Sequence, residues 1–372
     1  MVKLNKGWQF INFDEVFEDV TRHFVKIPTN CYKLTGTYAI VDQGQAFIAG
    51  YTDLDLPRNS CNPPCIIFGD HTRIFKYVDF DFFIGADGVK VLKLKIEGDE
   101  KYLYHFLNSV LIESCGYSRH FKFLKRIRIP LPPLPEQQRI AAILDKADEI
   151  RRKRETAIAK LDQLAQSIFV EMFGERKTNP KNYVKHPLCK ISEISTGSTP
   201  SRNGSGLIGG TINWVKTTEV NGNFIGDTEE KLTVAGLKSI RGKLHPVDSI
   251  IVAMYGQGKT RGRTAMLTVE SACNQACGVI RPNNSFSPKF MFWQLQIAYS
   301  DLRSLGRGGN QENMNLNLLG QFEVLIPPLP LQQQFANRIN QLEQLKTKQQ
   351  TALSQQNQLF ATLQHQAFTG QL

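Results

Sequence analysis

The string PPLPEQQRI at residues 132–140 returns as PPLPLQQQF at residues 327–335, 195 positions later in a chain of 372. Each copy opens a stretch free of proline and glycine, running to Gly174 in the first case and to Gly370 in the second. Pro135 stands where a helix starts, because the N–H it lacks would have no partner there. Nothing in residues 136–173 forces a break, and at 1.5 Å per residue such a helix spans about 57 Å. A repeat this large makes the chain a doubled object: globular segment, long helix, globular segment, long helix.

The two helices carry one apolar seam. Ile140, Leu144, Ala147, Arg151, Arg154, Ile158, Leu161, Ala165, Ile168 and Met172 follow the alternating four-three spacing of a coiled coil. Adding 195 gives Phe335, Ile339, Leu342, Lys346, Gln349, Leu353, Gln356, Phe360, Leu363 and Ala367. Both copies are interrupted mid-helix, by Arg151 and Arg154 in one and by Lys346 and Gln349 in the other. Polar seam residues cost stability but fix register. The second globular segment hangs on the far end of the first helix, so burying both seams requires the second helix to run back. The expectation is an antiparallel intramolecular pair in which Arg154 and Gln349 share a layer. The second helix is rich in Gln and Asn, which suits either a partner-binding face or a neutral surface.

Charge is distributed unevenly along the chain. Residues 1–135 hold 17 basic and 15 acidic groups, residues 136–174 seven of each, residues 175–330 18 and 11, and residues 331–372 three and one. Most of the net +11 therefore lies in the second globular segment. A basic globular segment points to a polyanion, with nucleic acid foremost. No apolar run approaches the ~20 residues of a membrane helix. The first residues lack the apolar stretch of a signal peptide. Seven cysteines, an odd number, fit reduced thiols in the cytoplasm better than a disulfide framework.

Both globular segments read as strands followed by a helix. Strand-like runs are TYAIV (37–41), CIIFG (65–69), VKVLKLKI (89–96), SIIVAMY (249–255) and CGVIRP (277–282). Helical runs are residues 101–112 and 289–302. Matching Thr72-Arg73 to Thr260-Arg261 sets Val91-Leu92 opposite Val279-Ile280, so the segments read as diverged copies.

Three strings approach catalytic or metal motifs and fall short. Gly256-Gln257-Gly258-Lys259-Thr260 follows a strand like a phosphate loop, but the first glycine of that motif is replaced by Ala253. Asn62-Pro63-Pro64-Cys65 resembles the Asn-Pro-Pro-aromatic motif of amino-methyltransferases, with a cysteine in place of the stacking ring. Cys61/Cys65 and Cys273/Cys277 could pair as zinc ligands, but they lie in different segments, and buried free thiols account for them as well. No nucleophile–base constellation emerges, so no catalytic residue and no metal site is expected.

DNA contact has better candidates. Lys259, Thr260, Arg261 and Arg263, with Gln257 beside them, place cations among glycines that admit a phosphate; arginine can also read guanine. Their counterparts in the first segment are His71, Thr72, Arg73 and Lys76, with Arg119 and Lys122 nearby. Asn274, Gln275, Asn310 and Gln311 could pair with adenine, or could serve their own loops.

The two PPLP openings, the helices behind them, ACNQACG (272–278) and GGNQENMN (308–315) resemble the specificity subunit of Type I restriction-modification systems, along essentially the whole chain. That resemblance implies a mixed α/β fold: two globular target recognition domains joined by two long helices in an antiparallel intramolecular coiled coil with pseudo-two-fold internal repeat. Its parts would be recognition domain 1 at 1–127, a central helical spacer at 128–174, a linker at 175–183, recognition domain 2 at 184–322 and a distal helical spacer at 323–372. It implies a non-catalytic, cytoplasmic, DNA-binding subunit with no membrane association. Each domain would read one half of a bipartite asymmetric site in double-stranded DNA. The helices would set the spacing and dock two modification (methyltransferase) subunits, with restriction (translocase/endonuclease) subunits added. S-adenosylmethionine, ATP and Mg2+ would belong to those partners and no cofactor to this chain. Strings such as ACNQ and GGNQ recur in domains of that family that read different sequences, which favours structural or backbone-contacting roles for them. The readings left beside this one are a stand-alone DNA adenine methyltransferase and a coiled-coil scaffold.

Overall fold

The computed structural model describes all residues except 1–6, 56–61, 114–115, 117–118, 202–205, 242, 257–258 and 306–313. The chain forms two compact units, residues 1–156 with 349–372 and residues 157–348. The long helices, Leu134–Phe173 and Leu329–Thr369, each contribute one half to each unit. Both end where expected, at Gly174 and Gly370, whose φ values of 76° and 74° give the left-handed turn that closes a helix.

In the first unit, Ile140, Ala141 and Leu144 from the start of the first helix pack with Phe360, Leu363 and Ala367 from the end of the second. In the second unit, Ala165, Phe169, Met172 and Phe173 pack with Phe335 and Ile339. Early residues meet late ones in both, so the pairing is antiparallel. The polar layer is explicit in the first unit: Arg154 donates from Nη1 to Gln349 Oε1 and from Nε to Gln356 Oε1, the latter at 2.9 Å. Arg151 Nε donates to Asn357 Oδ1 at 2.7 Å, and its ring-facing carbon sits 4.6 Å from the Phe360 centroid. In the second unit, Lys346 Nζ donates to Asp162 Oδ1 at 2.6 Å.

The sheets repeat as the helices do. In the first unit Phe17–Asp19, Val89–Leu94, Cys65–Gly69 and Phe75–Val78 form an antiparallel sheet in that order. In the second, Ile194–Thr196, Cys277–Ile280, Ile250–Ala253 and Thr264–Leu267 repeat the order, and Phe224–Ile225 adds a fifth strand parallel to the last. Ile67 faces Val91 and Ile66 faces Leu92; Ile251 faces Val279 and Ile250 faces Ile280. The sequence match of Val91-Leu92 to Val279-Ile280 is thus the match of register. A second sheet accompanies each, four-stranded in the first unit and three-stranded in the second. A short antiparallel pair precedes each PPLP: Gln9–Asn12 with Arg128–Leu131, and Lys185–Pro187 with Glu323–Leu325.

A glutamine in each PPLP string fastens each domain to its helix. Gln137 Oε1 accepts from Asp99 N at 2.9 Å, and its Nε2 donates to Pro132 O at 2.8 Å. Gln332 Oε1 accepts from Ser287 N at 2.9 Å, and its Nε2 donates to Pro327 O at 2.8 Å. Asp99 and Ser287 are the N-cap residues of helices Glu100–Ser109 and Pro288–Ile297. Sequence inspection picked out the string but not this role. The domain helix in the second unit stops sooner than the run 289–302 suggests: it breaks at Ala298, and Tyr299–Ser304 forms a separate turn of helix.

Candidate nucleic-acid interface

In the first unit the connection between Cys65–Gly69 and Phe75–Val78 carries His71, Thr72 and Arg73. Thr72 Oγ1 donates to Gln43 O at 2.5 Å, and Arg73 N to Gly69 O at 2.7 Å. Arg73 has a φ of 63°, a left-handed geometry unusual for a residue with a side chain. Its Nη1 donates to Ile112 O at 2.8 Å, just beyond the domain helix. Asp70 ties the same turn to the next basic segment: its carbonyl accepts from His120 N at 3.0 Å and its Oδ1 from Phe121 N at 2.7 Å. Exposed Arg119 and Lys122 flank those two residues, so His71, Thr72, Arg73, Arg119 and Lys122 are drawn together.

Lys76 is a correction. It is 4% exposed, and its Nζ donates to Asp42 O at 2.7 Å and Ala46 O at 2.6 Å. Burial holds its pKa below the usual lysine value, with Asp42 acting against that. It braces a loop and offers nothing to a phosphate. It sits in a strand whose neighbours Phe75 and Val78 are buried, and spacing from Arg73 alone could not reveal that it turns inward.

In the second unit the equivalent connection runs from Ala253 to Thr264. Gly262 N donates to Ala253 O at 2.8 Å, and Arg263 N to Thr260 O at 3.1 Å. Gly262 has a φ of 85°, and a Cβ there would lie 2.8 Å from Arg303 N, so only glycine fits against Tyr299–Ser304. Tyr299 Oη donates to Lys259 O at 2.8 Å and accepts from Arg303 Nη1 at 3.1 Å. Arg263 Nη1 donates to Asn221 Oδ1. Arg261 Nε is buried with no hydrogen-bond partner among the described residues. A cleft of about 320 Å³ opens here, lined by Asn221, Gly222, Lys259, Gly262, Arg263, Thr264, Gln296 and Tyr299. Among the described residues, two cations and no carboxylate line it. Asn221, Gln296 and Tyr299 were not singled out from sequence; nothing in their local strings connects them to the basic turn.

Asn274 and Gln275 form the turn between Ala272–Cys273 and Cys277–Ile280. Asn274 Oδ1 accepts from Ala276 N at 3.1 Å, which makes that oxygen a brace for its own turn. Gln275 is exposed, and its Oε1 accepts from Thr199 Oγ1. This turn lies beside the basic one, because Met254 N donates to Ala276 O at 2.9 Å. Gln257, Asn310 and Gln311 lie outside the described residues. Cys65, Cys273 and Cys277 are buried at 1%, 1% and 0%, and among the described residues no three His, Cys, Asp or Glu groups converge as metal ligands. Among the described residues no helix is long and apolar enough to cross a membrane.

Both units therefore present a basic hairpin turn against the end of the domain helix. Turns of this kind suit phosphate contact through side-chain cations and base contact through amides and guanidinium groups. The family model described as Type I restriction modification DNA specificity domain matches twice, at residues 5–162 and 180–356. The chain is 25% identical over 354 residues to the Type I restriction enzyme EcoR124I/EcoR124II specificity subunit of Escherichia coli, covering 88% of this chain and 84% of that one. It is 20% identical over 235 residues to the MjaIX specificity subunit of Methanocaldococcus jannaschii, covering 59% and 54%. Its fold matches the S subunit of a Type I restriction-modification system from M. genitalium with a TM-score of 0.61 at 17% identity over 98% of both chains. A second solved chain, from a study of assembly in the type I R-M system, matches with a TM-score of 0.57 at 16% identity over the full length of both.

Proposed function

Because this chain belongs to the Type I restriction modification DNA specificity family, we propose that its two units read the two halves of one bipartite, asymmetric DNA site. The observation that carries this reading is the contrast between a frame that repeats and two reading turns that do not. Gln137 and Gln332 make the same pair of bonds. The turns they support differ in sequence, in charge and in the strands around them. Identical units would suit a palindrome; a repeated frame with different turns suits two unlike half-sites.

In this reading, His71, Thr72, Arg73, Arg119 and Lys122 contact one half-site, and Lys259, Thr260, Arg261, Arg263 and Gln275 the other. The paired helices set the gap between half-sites and dock two methyltransferase subunits. Methyl transfer from S-adenosylmethionine and ATP- and Mg2+-dependent cleavage are assigned to partner subunits in the cytoplasm. This chain supplies sequence recognition.

The test is the methylated motif of host genomic DNA, mapped with and without the gene. A split motif that disappears on deletion supports the reading. A methylome unchanged by deletion, in a host expressing the methyltransferase subunit, contradicts it.

A further inference from the structure

Within the cationic cleft of the second unit, we propose that Gln296 is a specificity-determining residue that reads an adenine edge, while Lys259 and Arg263 hold a neighbouring phosphate. This rests on the reading of the chain as a DNA recognition subunit and assigns a base contact within it.

Gln296 is half-buried near the end of helix Pro288–Ile297 and lines the cleft. Its amide makes no hydrogen bond among the described residues, so a donor and an acceptor are both presented to the cleft. Such an amide pairs in bidentate fashion with N6 and N7 of adenine. A Cβ on Gly222 would come within 3.0 Å of Gln296 Oε1, so the amide rests against that glycine. Tyr299 fastens the Lys259 backbone, and Asn221 fastens Arg263. With the Lys259 backbone held and its side chain exposed, the ammonium is left to meet an anion. A cleft of about 320 Å³ that, among the described residues, has two cations, no carboxylate and one unengaged amide matches a nucleotide: a phosphate on one side and a purine edge on the other.

The equivalent position in the first unit shows that this is not a property of the frame. Asp99 and Ser287 are equivalent through their bonds to Gln137 and Gln332, which makes Asn108 the equivalent of Gln296. Asn108 Nδ2 donates to Tyr104 O of its own helix at 2.9 Å, so its amide is engaged there. Among the described residues the first unit also lacks a counterpart of the added strand Phe224–Ile225, which follows Asn221 and Gly222 in the chain. An adenine contact at this place is expected in one half-site only.

The complex assembled with its methyltransferase subunits is titrated against duplexes of the host motif in which each adenine, on either strand, is replaced in turn by 7-deazaadenine, which lacks N7. Wild type is expected to lose about 10-fold to about 100-fold in affinity at one adenine of one half-site. Gln296→Ala should bind the natural and the substituted duplex equally at that position and respond normally elsewhere. Gln296→Glu, which keeps the shape but sets an acceptor against N7, should reverse the preference there and favour the substituted duplex. Lys259→Ala and Arg263→Ala should weaken binding to every duplex alike and lower the salt slope by about one each. The base assignment is overturned if no position responds in wild type, or if Gln296→Ala keeps the wild-type response at every position. Recognition of DNA by this chain fails separately, if the wild-type complex shows no preference for the motif over scrambled duplex.

Discussion

At the glutamine that joins each domain to its long helix the two units make the same pair of bonds; at the basic turns they do not. Gln137 and Gln332 are buried at 2% and 0% exposure, and each satisfies one backbone N–H and one carbonyl that would otherwise be stranded. Few side chains could do this, since the position needs a donor and an acceptor at one reach. A solvent-facing turn has no such demand, and Arg73 and Gly262 close equivalent turns by different means. Backbone groups that must be paired hold the frame, while the turns are free to diverge wherever water can satisfy them.

The largest effect that would break the likeness lies in the apolar joints. Phe169, Phe173, Phe290 and Phe335 form a cluster with ring centroids 4.7–6.2 Å apart in the second unit. Three of them have counterparts in the first unit, Phe368, Tyr102 and Ile140, but Phe169 corresponds to half-buried Gln364. Phe169→Ala should cost the second unit about 3–5 kcal/mol in denaturant unfolding. Gln364→Ala should change the first unit by no more than about 0.5 kcal/mol. Comparable losses for the two would show that the joints are not built differently.

The glutamine joints come next. Removing either side chain leaves a backbone donor and an acceptor unpaired, at about 1–3 kcal/mol each where buried. Gln332→Ala should cost more than Gln137→Ala, because its bond to Ser287 is fully buried and the bond to Asp99 is only partly so. Hydrogen exchange at the amides of Ser287 and Asp99 reads the two sites separately.

Acid should separate the units more gently. In the first unit His105 is 3% exposed, with Nε2 2.7 Å from Asp145 Oδ1, and Lys101 Nζ lies 2.7 Å from Oδ2. Burial holds the His105 pKa below 6.5, against the pull of Asp145. Burial alone would raise the Asp145 pKa; the bonds from Lys101 and His105 more than offset it and leave it below 3.8. The unfolded chain takes up the His105 proton near pH 6.5 and the folded chain only at lower pH. Stability of the first unit therefore falls as pH drops from about 6.5 to the folded value. The contribution of Asp145, present above about pH 3.8, is lost below that. The second unit has Trp293 and Asn340 at these places, and neither titrates. Exchange protection followed from pH 7 to 5 should fall in the first unit and hold in the second at this joint. Equal loss in both would assign the effect elsewhere.

Much of this was legible from sequence, for a physical reason. The helices and the repeated domain show in the chain because apolar periodicity and proline and glycine punctuation are local signals; the antiparallel sense follows from connectivity, since the second segment hangs on the far end of the first helix. The matched strands at Val91 and Val279 follow from the same apolar pattern. Phe169 was missed because it stands one position off the four-three seam, where it meets Phe290 of the domain as well as Phe335 of the partner helix. Lys76 was misassigned and Gln296 overlooked because each depends on what the fold brings near it: carbonyls at residues 42 and 46 for one, a turn at 221–222 for the other. Side-chain orientation and long-range company have no local sequence signal.

The smallest effect concerns the polar layer, where stability and register part company. Arg154 is half-buried in the first unit, and its two acceptors are the neutral amides Gln349 and Gln356. No carboxylate in those bonds compensates the charge, so exchanging the layer for apolar residues of similar size should be neutral or stabilising, by up to about 1 kcal/mol. Its use lies in register. An apolar seam can slip by a heptad at little cost, whereas a slipped Arg154 would lose both amides while partly shielded from water. A cysteine pair at Ile140 and Leu363, both in the apolar core of the first unit, reports that register. In the native background it should close one intramolecular crosslink. With Arg154→Leu and Gln349→Leu combined, the Leu363 site should also react with a cysteine placed one heptad away, at Ala147. A single crosslink in both backgrounds would mean that the apolar joints at the two ends hold the register without the polar layer.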